Sequence, residues 1–338
     1  MTPAVAAGPK PRAAAVIVQW GETAPLERLL DAWPDDSRWH LVVVDNGHAA
    51  NAPDDPDPLA DLAARRGDLD LVRARPGEPA NAGFGGGVQR GLRHVLAEHG
   101  DALEAILVLN PDARPLAGAL DALLDALDGH PDAAGIVPAL VDATSGDSQH
   151  RWQLQPLPSP TTLLAQVFFL AGRRGPRRPP PAGTSIEQPA AAALLLRPRI
   201  LVEHPFDRRF HPAWFEDVDL CRRLADAGER MVYAPTARCA HEGGASVPSL
   251  GYGVFLWIYL RNLCRYLAKH HGRGWALAAR CAVPLAMSLR LAALPLRRPR
   301  RAPSRRIAAH GLLQVLAGGL SGWRLPRSLA ARFADPAL

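Results

Sequence analysis

Cysteine is scarce in this chain of 338 residues, and the few cysteines stand alone. Cys221, Cys239, Cys264 and Cys281 show no CxxC spacing, so they predict neither a thiolate metal site nor a disulfide framework. Isolated thiols in a chain of this size are typical of a reducing compartment, and we therefore expect a cytoplasmic protein.

Long uncharged apolar runs are also missing. Residues 1–12, MTPAVAAGPKPR, contain no apolar stretch long enough for a signal peptide, and we interpret them as a loose lead-in. No window supplies the roughly 18 charge-free apolar residues that a confident membrane span requires. The 33 prolines and 29 glycines follow no fixed period, which argues against a solenoid or a collagen-like chain.

Acidic residues nearly disappear from the last part of the chain. From Arg261 onward, 15 Arg and Lys accompany one acid, Asp335, which gives a net charge of +14. The first 260 residues carry 24 bases and 32 acids, a net charge of −8. This asymmetry points to an anionic surface as a partner of the basic tail. Because the basic residues are not interleaved with stacking aromatics, nucleic acid is not the expected partner.

An apolar stretch, WALAARCAVPLAMSLRLAALPL (275–296), lies within this basic tail. Arg280, Pro284 and Arg290 interrupt it, and a charge near the bilayer centre costs about 2.5–3.5 kcal/mol on insertion scales. It therefore predicts a helix that lies at a membrane interface, with the neighbouring arginines near acidic lipid headgroups. The alternative is an ordinary helical extension that packs on the preceding domain.

The body of the chain alternates strand and helix patterns. β-branched apolar runs followed by amphipathic stretches are typical of a parallel sheet covered by helices. We expect one α/β domain over 13–250, with a mobile loop at about 171–185, followed by a helical, basic extension over 251–338. Strands are predicted at 13–20, 39–47, 69–74 and 105–110, and helices at 88–99, 117–130 and 212–228.

Polar residues stand where two of these strands end. Asp45 and Asn46 follow one strand, and Asn110 and Asp112 follow another. Ligands gather outside the carboxyl ends of parallel strands, so a binding crevice is expected there, although an aspartate in this position is often only a turn cap. The turn NAGFGGGVQRG (81–91) fails the GxGxxG pattern. Its glycines are either a flexible connector or a place where backbone approaches a diphosphate, with Arg90 as a nearby cation.

Two further features carry titratable groups. Glu216 and Asp217 follow the aromatic run HPAWF, which suggests an acid that leans into a cleft, although a solvated helix face is the alternative. Adjacent helical residues point about 100° apart, so we expect at most one of the two acids to face a given reacting atom. His241 follows an apolar stretch, and a lone histidine of this kind is either structural or a metal ligand.

Taken in order, these segments resemble the inverting family 2 glycosyltransferases of the GT-A fold, in particular the rhamnosyltransferase-like branch. The resemblance extends from about residue 13 to 270. It depends on VVVDNG (42–47), NAGFGGGVQRGL (81–92), LVLNPDARP (107–115), AAALLLRP (191–198), FDRRFHPAWFEDVDLCRRLADAG (206–228) and AHEGGAS (240–246).

The resemblance implies a role for each candidate. Asp112 would bind a divalent cation, Mg²⁺ or Mn²⁺, which bridges the phosphates of a nucleotide-sugar and neutralises the departing diphosphate, and His241 matches the second metal position. Asp217 matches the general base, with Glu216 beside it in the catalytic element. The residues expected to bind the nucleotide-sugar are Asp45, Asn46, Asn81, Gly83, Arg90, Asn110 and Asp112.

The resemblance also implies a reaction. We expect a direct displacement that moves a sugar to a hydroxyl of a lipid-linked or polysaccharide acceptor, with inversion at the anomeric carbon. Rhamnose from dTDP-rhamnose is the first candidate, and galactofuranose, glucose or a similar donor sugar is the alternative. A relative that binds sugar nucleotides without turnover is the remaining possibility, although none of the acids expected to do chemistry is missing.

Overall fold

A mixed sheet of eight strands, with helices on both faces, forms the centre of the computed structural model. The structure describes residues 11–48, 57–170, 172, 174–243, 250–296, 299 and 302–323. The strands are β1 (Ala13–Gly21), β2 (Trp39–His48), β3 (Leu69–Val72), β4 (Ala105–Leu109), β5 (Ala113–Pro115), β6 (Gly135–Asp142), β7 (Leu154–Gln155), β8 (Gln188–Pro189), β9 (Ala193–Leu196) and β10 (Met231–His241).

Helices connect the strands and complete the chain. Their bounds are α1 (Ala24–Asp31), α2 (Pro58–Arg66), α3 (Gly83–His99), α4 (Ala119–Gly129), α5 (His150–Gln153), α6 (Pro160–Val167), α7 (Pro198–Glu203), α8 (Glu216–Asp226), α9 (Tyr252–His270), α10 (Arg273–Ala293) and α11 (Arg305–Leu320).

The sheet has the order β3-β2-β1-β4-β9-β6-β10-β5, and β7 pairs with β8 in a separate ribbon. Strands β3, β2, β1 and β4 are parallel neighbours, and β6 is parallel to β10. Two strands run the other way: β9 between β4 and β6, and β5 at the edge beside β10. The prediction of a mostly parallel sheet flanked by helices is confirmed. Two apolar clusters, one on each face, form its core.

Helix α3 begins earlier than expected. The pattern predicted a helix from Val88, but the helix begins at Gly83 and takes in the glycine-rich segment. A Cβ atom at Gly87 would lie 2.6 Å from Val18 Cγ1, and one at Gly91 would lie 2.4 Å from Val16 Cγ1. Gly87 and Gly91 therefore belong to a packed helix and not to a flexible connector. They let α3 pack closely on the sheet.

Helix α8 begins later than expected. The prediction of helix from Pro212 was wrong for its first four residues, since the helix begins at Glu216. Trp214 and Phe215 have φ angles of 68° and 72°, in the left-handed region that a right-handed helix cannot include. The two aromatic residues instead form a tight corner directly before the acids.

The C-terminal helices form a third apolar cluster together with α6. Helix α9 contacts α10 and α11 and also packs on α6, around buried residues such as Trp257, Tyr266 and Met287. The helices described between residues 252 and 320 thus pack on one another and on α6. Helix α10 is long and apolar enough to cross a membrane by length and composition, and 28% of its apolar window is buried.

Two predicted segments lie partly outside the described residues. The lead-in at 1–12 is described only from Pro11, and most of the basic stretch RRPRR is not described. In the predicted mobile loop at about 171–185, the described residues include anchored positions. The Gly183 N–H donates to the Tyr233 carbonyl at 2.9 Å, and the Arg174 N–H donates to Gln155 Oε1 at 3.0 Å.

The close approach of α3 to the sheet can be tested with Gly91→Ala. The added methyl group meets Val16, and we expect this overpacking to lower the free energy of unfolding by about 1–3 kcal/mol, although alanine favours helix by up to about 1 kcal/mol. Denaturant titration measures the change. Gly129→Ala in α4 is the control, because no atom lies within 4 Å of its Cβ position. Equal stability of the two variants would contradict the close packing.

Candidate functional site

A cleft of about 840 Å³ opens at the carboxyl ends of β1, β2 and β4. The start of α3, the corner before α8, the segment after β6 and one face of α9 form its walls. Eight of the ten residues predicted for the site line this cleft: Asn46, Asn81, Gly83, Asn110, Asp112, Glu216, Asp217 and His241.

Asp112 and His241 are neighbours in the cleft although they are distant in sequence. Strand β5 pairs antiparallel with β10, so that Ala113 lies opposite His241. The Glu242 N–H also donates to the Asp112 carbonyl at 3.0 Å. As a result, His241 Nε2 lies 3.6 Å from Asp112 Oδ1, and both side chains are largely buried.

The His241 ring is held from two sides. Its Nδ1 lies 2.9 Å from Gln149 Oε1, while Gln149 Nε2 donates to the His241 carbonyl at 2.9 Å. The Trp152 ring stacks on the imidazole at 5.2 Å between centroids. Because a glutamine oxygen only accepts, Nδ1 carries the proton and Nε2 presents its lone pair towards Asp112. This is the tautomer that a metal-binding histidine needs.

The Asp112–His241 pair fits a divalent cation. A separation of 3.6 Å is less than twice the metal–ligand distance of about 2.0–2.2 Å, so one ion can contact both atoms. Burial lowers the pKa of His241, against the opposing charge of Asp112, which favours the neutral imidazole that binds metals. One carboxylate oxygen and one imidazole nitrogen would tolerate Mn²⁺ more readily than Mg²⁺, which favours oxygen ligands.

Glu216 and Asp217 both face the cleft from the first turn of α8. Asp217 Oδ1 accepts a hydrogen bond from the Val218 N–H at 2.8 Å, and Oδ2 lies 3.5 Å from the Ala191 nitrogen. Glu216 Oε2 has no hydrogen-bond partner among the described residues. Burial raises the pKa of both carboxyl groups, and the charge of Asp217 raises that of Glu216 further. Both acids thus reach the cleft, and the expectation that at most one of them faces a given reacting atom stays a prediction.

Helix α9 holds the corner that precedes these acids. Asn262, which is fully buried, donates from Nδ2 to the carbonyls of Phe210, Ala213 and Trp214 at 2.8–3.0 Å. Arg261, beside it, donates to the His211 carbonyl. Backbone in the left-handed region at two bulky residues costs about 1–3 kcal/mol each, so the corner persists only where its surroundings fix it.

The start of α3 forms the opposite wall. Asn46 donates from Nδ2 to the Gly83 carbonyl at 2.8 Å, and Asn81 Oδ1 accepts from the Gly83 N–H at 2.8 Å. A Cβ atom at Gly83 would lie 2.7 Å from the Pro212 carbonyl oxygen, and the Phe84 N–H donates to that same oxygen at 2.8 Å. Glycine at position 83 thus brings this wall against the corner before α8.

Two predicted residues do not line the cleft. Arg90 is 5% exposed, and its guanidinium donates to the Pro79 carbonyl at 2.9 Å and lies 3.3 Å from Glu78. It therefore ties the segment before α3 to the helix and is not positioned as a cation for a diphosphate. Asp45 lies just outside the cleft, where its Oδ1 accepts from the Gly47 N–H at 2.9 Å.

Sequence reasoning missed three residues that shape the site. Gln149 and Trp152 orient His241, and Asn262 holds the corner before the acids. The first two lie in the polar segment DSQHRWQ, which carries no pattern that distinguishes them from a surface loop. Asn262 does leave a signal in the sequence, since a polar residue within the apolar helical pattern of α9 indicates a buried hydrogen-bonding role.

The chain is similar to known proteins both in sequence and in fold. The chain is 27% identical over 280 residues to N-acetylglucosaminyl-diphospho-decaprenol L-rhamnosyltransferase of Mycobacterium tuberculosis. This match covers 77% of this chain and 86% of that protein. It is also 27% identical over 206 residues to pre-mycofactocin glycosyltransferase of the same organism, and this match covers 60% of this chain and 37% of that protein. The chain matches no family model.

The structure of GalNAc-T7 with UDP, GalNAc and Mn²⁺ has a TM-score of 0.50 and 14% sequence identity, and the match covers 74% of this chain and 47% of GalNAc-T7. At this identity the likeness concerns the fold. The expected GT-A architecture is confirmed, and both curated relatives are glycosyltransferases. The chain accordingly has the GT-A fold and is similar in sequence to glycosyltransferases, one of which is a rhamnosyltransferase.

Proposed function

We propose that this glycosyltransferase moves a sugar from a nucleotide-sugar to a hydroxyl of a lipid-linked acceptor, with inversion at the anomeric carbon. The observation that carries the proposal is the placement of Asp112 and His241 on one side of a single cleft, with Glu216 and Asp217 on its wall. Rhamnose from dTDP-rhamnose is the proposed donor, because the curated relative over 280 residues is a rhamnosyltransferase. Galactofuranose or glucose donors are the alternatives.

Asp112 and His241 would hold a divalent cation, Mg²⁺ or Mn²⁺. The ion would neutralise charge on the departing nucleoside diphosphate, which is Lewis-acid assistance to leaving-group loss. GalNAc-T7, which shares the fold, contains Mn²⁺ together with UDP. Asn46, Asn81, Gly83 and Asn110 line the same cleft and supply amide and backbone groups for the nucleotide and the sugar.

Asp217 is the proposed general base. Its carboxylate accepts backbone hydrogen bonds that favour the charged form, whereas Glu216 Oε2 lacks a described partner and lies beside a negative charge. When two acids share a buried site, the less stabilised one keeps its proton. Asp217 thus takes the proton of the acceptor hydroxyl while the oxygen of that hydroxyl bonds to the anomeric carbon. The bond from that carbon to the diphosphate oxygen breaks in the same step.

The acceptor side of the cleft is formed by the C-terminal helices. Phe255 and Tyr259 of α9 line the cleft, while α9 also packs on α10. On α10, Leu277, Leu285 and Leu289 are 55–60% exposed, and their spacing of eight and four residues places them on one face. We propose that this leucine face, with the surrounding arginines, rests on the anionic cytoplasmic surface of a membrane where a lipid-linked acceptor is available.

The donor and the metal can be tested together by thermal shift. Screening dTDP-rhamnose, UDP-galactofuranose and UDP-glucose with Mn²⁺ should give the largest rise in melting temperature with dTDP-rhamnose, since a ligand that binds only the folded state stabilises it. Asp112→Ala should remove the Mn²⁺-dependent part of that rise. Asp125→Ala, an exposed acid on α4, is the control and should respond like the wild type. Donor binding without any sugar transfer would instead indicate a non-catalytic relative.

The base assignment predicts different outcomes at adjacent positions. Asp217→Asn should lower turnover by about 10²–10⁴-fold while donor affinity stays near normal. Glu216→Gln should keep most activity, because burial and the charge of Asp217 raise the pKa of Glu216 and so favour the protonated form that glutamine mimics. Burial raises the pKa of Asp217, so wild-type activity should increase with pH through a pKa above the ordinary aspartate value of 3.8. A large loss in Glu216→Gln with near-normal Asp217→Asn would reverse the two roles.

The membrane contact predicts a defined mutational effect. Replacing Leu285 and Leu289 together by Glu should abolish sedimentation of the purified protein with anionic liposomes at low salt, since it places charge on the apolar face. Val202→Glu is the matched control, because Val202 is 58% exposed on α7 and lies outside the leucine face. Failure of the wild-type protein to sediment would reject the contact and leave α10 as a packing helix.

A further inference from the structure

Four potential metal ligands meet at the end of α3 that points away from the cleft. His40 belongs to the start of β2, Asp70 to the edge strand β3, and His94 and Glu98 to α3. Helix α3 begins at the cleft with Gly83. At a rise of about 1.5 Å per residue, His94 lies roughly 16 Å further along the helix. The group is therefore separate from Asp112 and His241.

The four side chains already converge on one point. His40 Nε2 and His94 Nε2 lie 2.8 and 2.7 Å from the same oxygen, Asp70 Oδ2. Glu98 oxygens lie 3.7 Å from His94 Nε2 and 3.9 Å from His40 Nε2. All four ligand atoms are within 4.8 Å of one another. Ligands at about 2.0–2.1 Å from a tetrahedral ion are separated by about 3.3 Å, so small side-chain rotations bring these atoms to that spacing.

The backbone fixes this arrangement. Parallel pairing of β2 with β3 places Val42 opposite Asp70, two residues from His40 and on the same side of the sheet. His94 and Glu98 are four residues apart on α3 and therefore share a face. The His99 ring packs edge-on against His40 at 4.7 Å between centroids, which restricts that imidazole. Three separate segments thus present ligands without any change in the backbone.

The chemistry of the set selects the class of ion. Two imidazole nitrogens and two carboxylate oxygens are the ligands that Zn²⁺ and neighbouring transition metals prefer, whereas Mg²⁺ and Ca²⁺ favour all-oxygen sites. His40, Asp70 and His94 are 19–35% exposed at their side chains, so an ion can reach the site from solvent and still be held partly buried.

We propose that His40, Asp70, His94 and Glu98 form a second metal site that binds Zn²⁺ or a similar transition-metal ion. Such an ion joins β3, the strand at the sheet edge, to the C-terminal half of α3. Because the opposite end of α3 carries Gly83 at the cleft, the site stabilises the helix that forms the donor wall. The two apolar clusters on the sheet do not depend on it, so the protein folds without the ion and gains stability when it binds.

The test uses tag-free full-length protein, stripped of metal with a chelator, in an Asp112→Ala background that weakens the cleft site. Titration with Zn²⁺ should show one equivalent bound and a rise in melting temperature, and Co²⁺ should give the intense visible bands of tetrahedral coordination. Glu98→Gln and His94→Ala should each weaken Zn²⁺ binding at least about tenfold. His310→Ala, at an exposed histidine of α11, is the control and should bind normally.

Two results would overturn the proposal. One is the lack of any Zn²⁺ binding in the Asp112→Ala background. The other is binding that survives in Glu98→Gln as well as in His94→Ala. Glu98 is 46% exposed at its side chain, so its replacement by Gln tests the ligand set without endangering the fold. Neither result bears on sugar transfer, since the titration does not involve a donor or an acceptor.

Discussion

The short pairing of β5 with β10 is the constraint on which the site depends. Only three residue pairs join these strands, yet they bring Asp112, at the end of one polypeptide segment, beside His241, at the end of another. In the sheet, β9 and β6 separate β4, which ends before Asp112, from β10, which ends at His241. By reversing direction after Asp112, the chain sets a carboxylate and an imidazole at 3.6 Å, where they can hold one cation.

The C-terminal helices form part of the cleft as well as extending the fold. Helix α9 lines the cleft with Phe255 and Tyr259, and through Asn262 it fixes the backbone corner that aims the acids of α8. Asp219 of α8 in turn accepts a hydrogen bond from His270 at 2.7 Å at the other end of α9. Helix α9 is thus joined both to the corner before α8 and to α8 itself. A boundary near residue 250 separates the sequence patterns, but the packing is continuous across it.

The sequence was most informative where local patterns decide structure. Uninterrupted apolar runs located the parallel strands, and acids at their ends located the cleft. The helix starts at Gly83 and Glu216 were missed because both depend on tertiary contacts: glycine, a poor helix former, is tolerated where α3 must approach Val16 and Val18, and the left-handed corner is fixed by Asn262. Arg90 shows that the sequence alone does not predict where a long side chain points. A cation near a glycine-rich segment suggests an anion site, but only packing shows that its guanidinium turns towards backbone carbonyls.

The corner before α8 and the two acids that follow it are in states that are intrinsically unfavourable. Trp214 and Phe215 adopt left-handed backbone, and Glu216 and Asp217 are buried, which raises their pKa values. A carboxyl group with a raised pKa binds its proton more tightly in the folded state, so its contribution to stability falls as pH rises above its unfolded pKa. Near neutral pH the left-handed backbone and the buried carboxyl groups therefore both oppose folding. The apolar cluster between α6, α9, α10 and α11, together with the hydrogen bonds of Asn262, offsets this cost. The helices beyond the sheet are needed because they keep two buried acids and a strained corner in place.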